Sequence, residues 1–370
     1  MVDFDFEVEE IVEGKARILV PKTTRGKGPG KKEGVPFYNP VMEPNRDISV
    51  LVLQNCLSSG KNRILDGLAG TGIRGIRFAM EVSGNLSILM NDWNEQSHAI
   101  MLENIRRNEA QNTEVRHEDL NTLLTSDEFD YLDVDPYGTP VPFLDKAVKG
   151  VRDGGILAVT ATDTAALAGS SPKACMRKYG ATPIKSKTSH ETGLRILVGY
   201  CARIAAEYDL NIRPLLSHST DHYYRTYLEI QQGQSQANGT RENVGFLSVD
   251  LSSQEMFLEE EKKDDFVAAG PLWIGSLWNP GFLEEMRSRS YMPSETSRIL
   301  ELLKLESQIE SPYHSSEEIA SHLKVHTPRL ASILERLNEE GYNASPTHFD
   351  SKGFRTNAPI DEILQIFKKT

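Results

Sequence analysis

From Asn62 to Asp163 the chain repeats one pattern five times: a strand-length apolar run that stops at an acidic residue. Arg63 to Leu65 stops at Asp66, Leu86 to Met90 at Asn91-Asp92, and a run near Val115 at His117-Glu118-Asp119. Phe129 to Val134 stops at Asp135, and Gly155 to Thr160 leads to Ala161-Thr162-Asp163. Helix-length segments separate the runs, one with Ile73, Ile76 and Met80 on a single face and one around Ser97 to Asn108. Strands and helices that alternate at this length specify an α/β fold, a doubly wound, Rossmann-like parallel sheet. A long helix around Gly193 to Tyr208, then Ile212 to Leu216 and the alternating stretch His222 to Gln231, add a reversed edge strand.

Ligands of such sheets bind at the carboxyl ends of the strands. Asp66-Gly67-Leu68-Ala69-Gly70-Thr71-Gly72 is a turn without side chains at Gly70 and Gly72, where backbone can approach a ligand closely. Its spacing is not G-x-G-x-x-G and no P-loop lysine follows, which argues against a triphosphate. Asp92, one strand on, is placed to accept two ribose hydroxyls, and Asp119 to receive an adenine amino group. This pattern fits S-adenosylmethionine better than a dinucleotide, with the methionine ammonium directed to Asp66 or to a carbonyl. The fourth strand ends in Asp135-Pro136-Tyr137-Gly138. Such a turn offers a carboxylate, freed carbonyls and an aromatic face, equipment for a flat base with an exocyclic amine. The amine would donate to Asp135 and to a carbonyl near Pro136, with the ring stacked on Tyr137.

The 370 residues suit two domains, and 39% hydrophobic with 25% charged residues is ordinary for a soluble globular chain. No apolar run approaches membrane-spanning length, and Met1-Val2-Asp3-Phe4-Asp5 is acidic where a signal peptide would be basic. Three scattered cysteines, Cys56, Cys175 and Cys201, form neither a disulfide framework nor a zinc site, so the expected compartment is a reducing cytoplasm. A net charge of −12 opposes indiscriminate nucleic-acid binding. Yet Lys15 to Lys32 carries seven basic residues and no acidic one, and Ser171 to Arg203 carries seven against the single Glu191. These runs read either as solvated faces or as a nucleic-acid footprint.

The expected catalytic domain spans residues 1–280, with an arm at 1–45 and an insertion at about 231–270. The arm holds Val35-Pro36-Phe37-Tyr38-Asn39-Pro40, two aromatics between prolines, then Asn45-Arg46-Asp47 opening an amphipathic helix. Residues 281–370 read as a smaller α+β, winged-helix-like domain. Ser315 to Glu318 matches a capping box, and Thr327-Pro328 an N-cap followed by proline. Such a module serves nucleic-acid contact or protein packing alike.

Taken together, Pro36-Phe37-Tyr38-Asn39-Pro40, Asn45-Arg46-Asp47, Thr71-Gly72-Ile73-Arg74-Gly75-Ile76-Arg77, Asn91-Asp92, Asp133-Val134-Asp135-Pro136-Tyr137-Gly138, Val159-Thr160-Ala161-Thr162-Asp163, His190-Glu191 with Arg195, and Gly270-Pro271-Leu272-Trp273 span almost the whole chain. In these segments the chain resembles the archaeal and eukaryotic tRNA (guanine(26)-N(2))-dimethyltransferases. The resemblance implies mono- then dimethylation of the guanine N2 amine, a methyltransferase domain using S-adenosylmethionine, and a C-terminal domain that helps hold tRNA. Position by position it assigns Arg46 and Arg74 to the cofactor with Asp92, Asp119 and the adjoining Leu120. It makes Asp135 the catalytic carboxylate and Phe37 and Tyr137 the rings around the guanine. Family members more often carry Phe where Tyr137 stands. Some also carry zinc-spaced cysteines in the insertion; Gln231 to Gly270 has none, so no metal is expected. A cytoplasmic monomer acting on tRNA, with no membrane contact, completes the expectation. The alternatives are another exocyclic-amine methyltransferase acting on DNA or other RNA, a non-catalytic RNA-binding relative, and, least favoured, a nicotinamide enzyme.

Overall fold

Short Val/Ile/Leu-rich runs bounded by Gly, Pro and Asp become strands buried on both faces, and the amphipathic stretches between them become the covering helices. A computed structural model describes residues 4–22, 34–220, 222–233, 239–240 and 242–369. In chain order the first half contains β1 (Val8–Glu13), β2 (Ala16–Pro21), α1 (Glu43–Cys56), β3 (Asn62–Asp66), α2 (Ile73–Glu81), β4 (Leu86–Asn91), α3 (Glu95–Asn108), β5 (Thr113–Arg116), α4 (Leu120–Leu123), β6 (Phe129–Val134), α5 (Val141–Lys149) and β7 (Val151–Ala161). Then follow α6 (Thr164–Leu167), α7 (Pro172–Tyr179), α8 (Ser189–Ala206), β8 (Leu210–Thr220) and β9 (Tyr223–Gln232). The large sheet has the order β5-β4-β3-β6-β7-β9-β8. Its first five strands pair in parallel, and β8 and β9 pair antiparallel, as the alternation of His222 to Gln231 requires.

By contacts the chain divides into two compact units. The first comprises Met1–Pro136, Pro142–Val159 and Met286–Ser297, and the second Tyr137–Val141, Thr160–Glu285 and Arg298–Thr370. In the first unit the chain runs from β3 outward to β4 and β5, then returns to lay β6 on the other side of β3. This reversal is the switch point at which open α/β sheets bind ligands. The parallel register sets Asp66 beside Asp133 there. The hairpin β1–β2 is tied to α2 by buried charge. Arg77, wholly buried, bonds Glu13 at 2.9 Å, Asp47 at 2.5 Å and Glu81 at 2.8 Å. Burial raises the Glu13 pKa, but hydrogen bonds and charge from Arg46 and Arg77 win and hold it below the usual range. Within α2, Ile73 and Ile76 are buried as the periodicity predicts, whereas Met80 is 36% exposed: Phe78 and the aliphatic stem of Arg77 fill the inner face instead.

In the second unit β10 (Val244–Val249), β11 (Met256–Glu259) and β12 (Val267–Trp273) form a three-stranded antiparallel sheet of order β11-β10-β12. After α9 (Pro280–Glu285) and α10 (Ser294–Glu306) come β13 (His314–Ser315), α11 (Ser316–Leu323), α12 (Leu330–Glu339), β14 (Ala344–Pro346), β15 (Gly353–Thr356) and α13 (Ile360–Lys369). Ile319, Ile333, Leu337, Phe354, Ile363 and Phe367 make their common core. Two expected caps are corrected. Ser315 occupies the N-cap of α11 but its hydroxyl makes no capping bond, and the Glu318 carboxylate, which a capping box would turn back to the Ser315 amide, accepts the Lys187 amide at 2.7 Å instead. α12 starts two residues after Pro328, with Arg329 at the N-cap in place of Thr327. Glu191 serves structure: it accepts from Arg195 at 2.8 Å, Arg355 at 2.7 Å and the Tyr313 amide at 3.1 Å.

Candidate active site

The turn after β3 is built by close approach. At Gly70 (φ +56°) a Cβ would stand 2.9 Å from the Phe37 carbonyl oxygen, so the loop carrying Phe37 lies directly on the turn. At Gly72 (φ +77°) a Cβ would meet the Met101 side chain at 2.9 Å. Both conformations are left-handed, which glycine adopts without penalty. The Gly70 amide donates to Asp92 Oδ2 at 2.9 Å, and the Asn94 amide donates to Oδ1 at 2.9 Å. The Asp92 carboxyl is thus fixed against the Gly-rich turn, its pKa raised by burial against these bonds. Leu120, buried, reaches Gly67, where a Cβ would meet its methyl groups at 3.1 Å. Asp119 is exposed and caps α4 through the Thr122 amide at 3.0 Å.

Asp66 is fully enclosed and accepts from the Gly75 amide at 3.1 Å. Burial, with Arg74 opposing and Asp133 and Asp135 reinforcing, pushes its carboxyl up to about 7. Beyond the end of β6, the Asp135 side chain is 20% exposed and ion-paired to Arg74 Nη2, while Pro136 is buried. The other terminal nitrogen of Arg74 donates to Asn45 Oδ1 at 3.0 Å and to the Ser49 hydroxyl. Arg46, by contrast, faces the N-terminal hairpin, bonding Glu13 through Nε at 2.6 Å and the Asn39 carbonyl at 3.1 Å.

In the second unit Tyr137 is 52% exposed and heads a pinned turn. The Gly138 amide donates to Thr162 Oγ1 at 2.6 Å, and the Thr139 hydroxyl bonds the Tyr179 hydroxyl at 3.0 Å. Tyr179 donates in turn to Asp163 at 2.7 Å, and Lys178 pairs with the same carboxylate at 2.9 Å. Asp163 therefore braces the turn through its neighbours, a role that its place at a strand end did not announce.

In the first unit the structure gathers Phe37, Asp66, Gly70, Gly72, Arg74, Asp92, Leu120, Asp135 and Pro136 around the switch point, and leaves Arg46 and Asp119 with other partners. Two residues escaped the sequence reading. Trp93, 71% exposed, follows Asp92 directly; an aromatic just past an acidic strand end was the available signal. Asp133, wholly buried, hides in the alternating pattern of β6. Among the described residues no group of three or more His, Cys, Asp or Glu is placed to hold a metal ion, and no helix is long and apolar enough to cross a membrane.

Comparison with known proteins is consistent over the whole length. Residues 14–368 match the family described as N2,N2-dimethylguanosine tRNA methyltransferase. The tRNA (guanine(26)-N(2))-dimethyltransferase of Thermococcus kodakarensis is 38% identical, with 98% of this chain and 99% of that protein covered. Its namesake from Pyrococcus furiosus is 37% identical, with the same two coverages of 98% and 99%. Among solved structures, Trm1 from Pyrococcus horikoshii in complex with S-adenosyl-L-methionine superposes with a TM-score of 0.86 at 33% identity, covering 97% of this chain and 99% of that one.

Proposed function

The chain belongs to the N2,N2-dimethylguanosine tRNA methyltransferase family, and we propose that Asp135 and the Pro136 carbonyl direct its methyl transfers to the N2 amine of guanine 26 in tRNA. The reaction is S-adenosylmethionine-dependent N2-dimethylation of a tRNA guanine. One observation carries the residue assignment: a partly exposed carboxylate stands at the switch point of the sheet, within one ion pair of the helix that the Gly-rich turn opens.

The donor set suits S-adenosylmethionine, which when bound supplies an electrophilic methyl group on a sulfonium. Gly70 and Gly72 give the turn the left-handed backbone by which it would approach the cofactor. Asp92 takes the ribose hydroxyls, Asp66 the ammonium, and Asp119 with Leu120 the adenine, against which Trp93 offers a ring. Arg46 and Arg74 enter this set from the family likeness. In this chain both guanidinium groups are already engaged, so a cofactor contact would be made in addition to those pairs.

The guanine amine is a weak nucleophile because its lone pair is delocalised into the ring. Hydrogen bonds to Asp135 and the Pro136 carbonyl localise that pair and aim it. Asp135 then accepts the proton as positive charge develops on nitrogen. Alignment of this kind supplies at most about 7–11 kcal/mol. One N–H survives the first transfer; set against Asp135, it gives that carboxylate the proton to accept in the second, while the new methyl group takes the place of the N–H that faced the Pro136 carbonyl. A guanine buried in folded tRNA must turn outward, and Phe37 (50% exposed) and Tyr137 are the rings proposed to stack on it. Residues 1–280 act as the catalytic domain and 281–370 help hold the tRNA, in a cytoplasmic monomer. Buried Cys175 and Cys201, whose thiols burial pushes up to about 11 and about 12, suit a reducing compartment. The test is unmodified tRNA transcript with labelled S-adenosylmethionine, read by nucleoside mass spectrometry. N2-dimethylguanosine should form at position 26 and vanish in Asp135→Ala, with cofactor binding kept. Normal turnover by Asp135→Ala would end the assignment.

A further inference from the structure

Side chains two apart on a strand share a face, so Tyr131, Asp133 and Asp135 line one side of β6 and its continuation. The first two lie inside the protein and the third at its rim. The Tyr131 hydroxyl donates to Asp133 Oδ2 at 3.0 Å. The same oxygen lies 3.7 Å from Arg74 Nε, and Arg74 reaches past it to Asp135. A wholly buried carboxylate such as Asp133 is tolerated only when it is paired and hydrogen-bonded. Its pairing here is with the one guanidinium that also grips Asp135. Asn45 and Ser49, both buried on α1, hold that guanidinium from the other end. A planar fork hydrogen-bonded at both terminal nitrogens, with a carboxylate against its Nε, is restricted in orientation, and so is the group it grips.

We propose that Asp133 and Arg74 are positioning residues for methyl transfer, with Tyr131 behind them: the line Tyr131–Asp133–Arg74 fixes the orientation of the Asp135 carboxylate. This rests on the assignment of Asp135 made above. Arg74 takes Asp135 Oδ2, which leaves Oδ1 to accept from the guanine amine. Arg74 thereby acts on the substrate side of the reaction, in addition to the cofactor contact proposed for it above. Neither Asp133 nor Tyr131 touches a reacting atom.

The experiment measures kcat and the tRNA KM with an unmodified transcript, and the S-adenosylmethionine Kd by calorimetry, for Tyr131→Phe, Asp133→Asn and Arg74→Lys. Misplacing a reacting group by an ångström costs on the order of a hundredfold in rate. Asp133→Asn and Arg74→Lys should therefore lower kcat about 10- to 100-fold, and Tyr131→Phe severalfold, with the tRNA KM within about twofold of the parent in all three and the cofactor Kd within about twofold in Asp133→Asn and Tyr131→Phe. Unchanged kcat in Asp133→Asn and Tyr131→Phe overturns the proposal. So does a kcat of parental size in Arg74→Lys. Should Asp133→Asn fail to fold, Tyr131→Phe, which removes a single hydroxyl, decides alone. Asp135→Asn is the control. If it too turns over normally, the site assignment itself has failed; if it is dead while the other three are normal, only this inference has.

Discussion

Asp66 carries its proton at a pH where an exposed aspartate has long lost it, and that has two consequences. Its carboxyl titrates near 7 in the folded protein against 3.8 when free. The native state therefore binds more protons than the unfolded state between about pH 4 and 7, and stability from this group falls as pH rises through that window and is level above it. Removing the charge should remove the slope. Asp66→Asn is expected to melt higher than the parent at pH 8 without cofactor, and equally at pH 4, by scanning calorimetry. The second consequence concerns the cofactor. An ammonium group set against Asp66 requires the ionised form, so below about 7 binding must first expel a proton. Affinity for S-adenosylmethionine should rise up to about tenfold per unit between about pH 5 and 7. Titration calorimetry in two buffers of different ionisation enthalpy reads that proton directly, and Asp66→Asn should bind weakly and without the slope. A pH-independent Kd in the parent would place the ammonium elsewhere.

At the scale of elements, the turn between β3 and α2 separates two kinds of glycine. Both Gly70 and Gly72 are left-handed, so alanine at either costs about 1–2 kcal/mol in backbone strain. The obstacles differ. At Gly72 the new methyl meets Met101 and Met90, flexible side chains that can withdraw; at Gly70 it meets the backbone oxygen of Phe37, which cannot move without its loop. Gly72→Ala should lower the melting temperature by several degrees and leave the tRNA KM unchanged. Gly70→Ala should displace Phe37 and raise the tRNA KM by tenfold or more at a similar melting temperature, an outcome steady-state kinetics and a thermal scan separate. This turn was legible in the sequence because glycine spacing and a preceding apolar run are local signals. So were the parallel strands and the antiparallel pair β8–β9, although the edge of the sheet is β8 and not the alternating strand β9. The charge networks were not. Glu13 bonds Arg77 64 positions away, Glu191 bonds Arg355 164 away, and no local periodicity encodes such pairs. The same limit hid Asp133, whose meaning depends on Arg74 arriving from another element. Local rules also misled at Ser315 and Thr327, where a capping pattern was present but tertiary contacts took the partner or moved the boundary.

For the whole molecule the question is how a chain of net charge −12 holds a polyanion. The surplus acid must face away, and a few basic stretches must do the binding. Of the seven basic residues between Ser171 and Arg203, structure removes three from this duty: Lys178 pairs with Asp163, Arg195 is buried on Glu191, and Arg203 donates to the Tyr179 carbonyl. Lys187 shares Glu317 at 3.0 Å. Lys173, Arg177 and Lys185 remain exposed, with Lys173 and Arg177 on the α7 helix whose Tyr179 braces the Tyr137 turn. In the N-terminal basic run, Lys15, Arg17 and Lys22 are described, and Arg25, Lys27, Lys31 and Lys32 lie outside the described residues. Each phosphate neutralised contributes about −0.7 to −0.9 to the slope of log K against log salt. Changing Lys173, Arg177 and Lys185 together to Gln should therefore reduce the slope for tRNA by about 2–3, and changing Arg25, Lys27, Lys31 and Lys32 to Gln by about 3–4, if all reach phosphates. Both sets should leave the S-adenosylmethionine Kd unchanged. Filter binding of tRNA between about 50 and 200 mM salt gives each slope. A set whose slope matches the parent is a solvated face, and the −12 chain must then hold its substrate through the other.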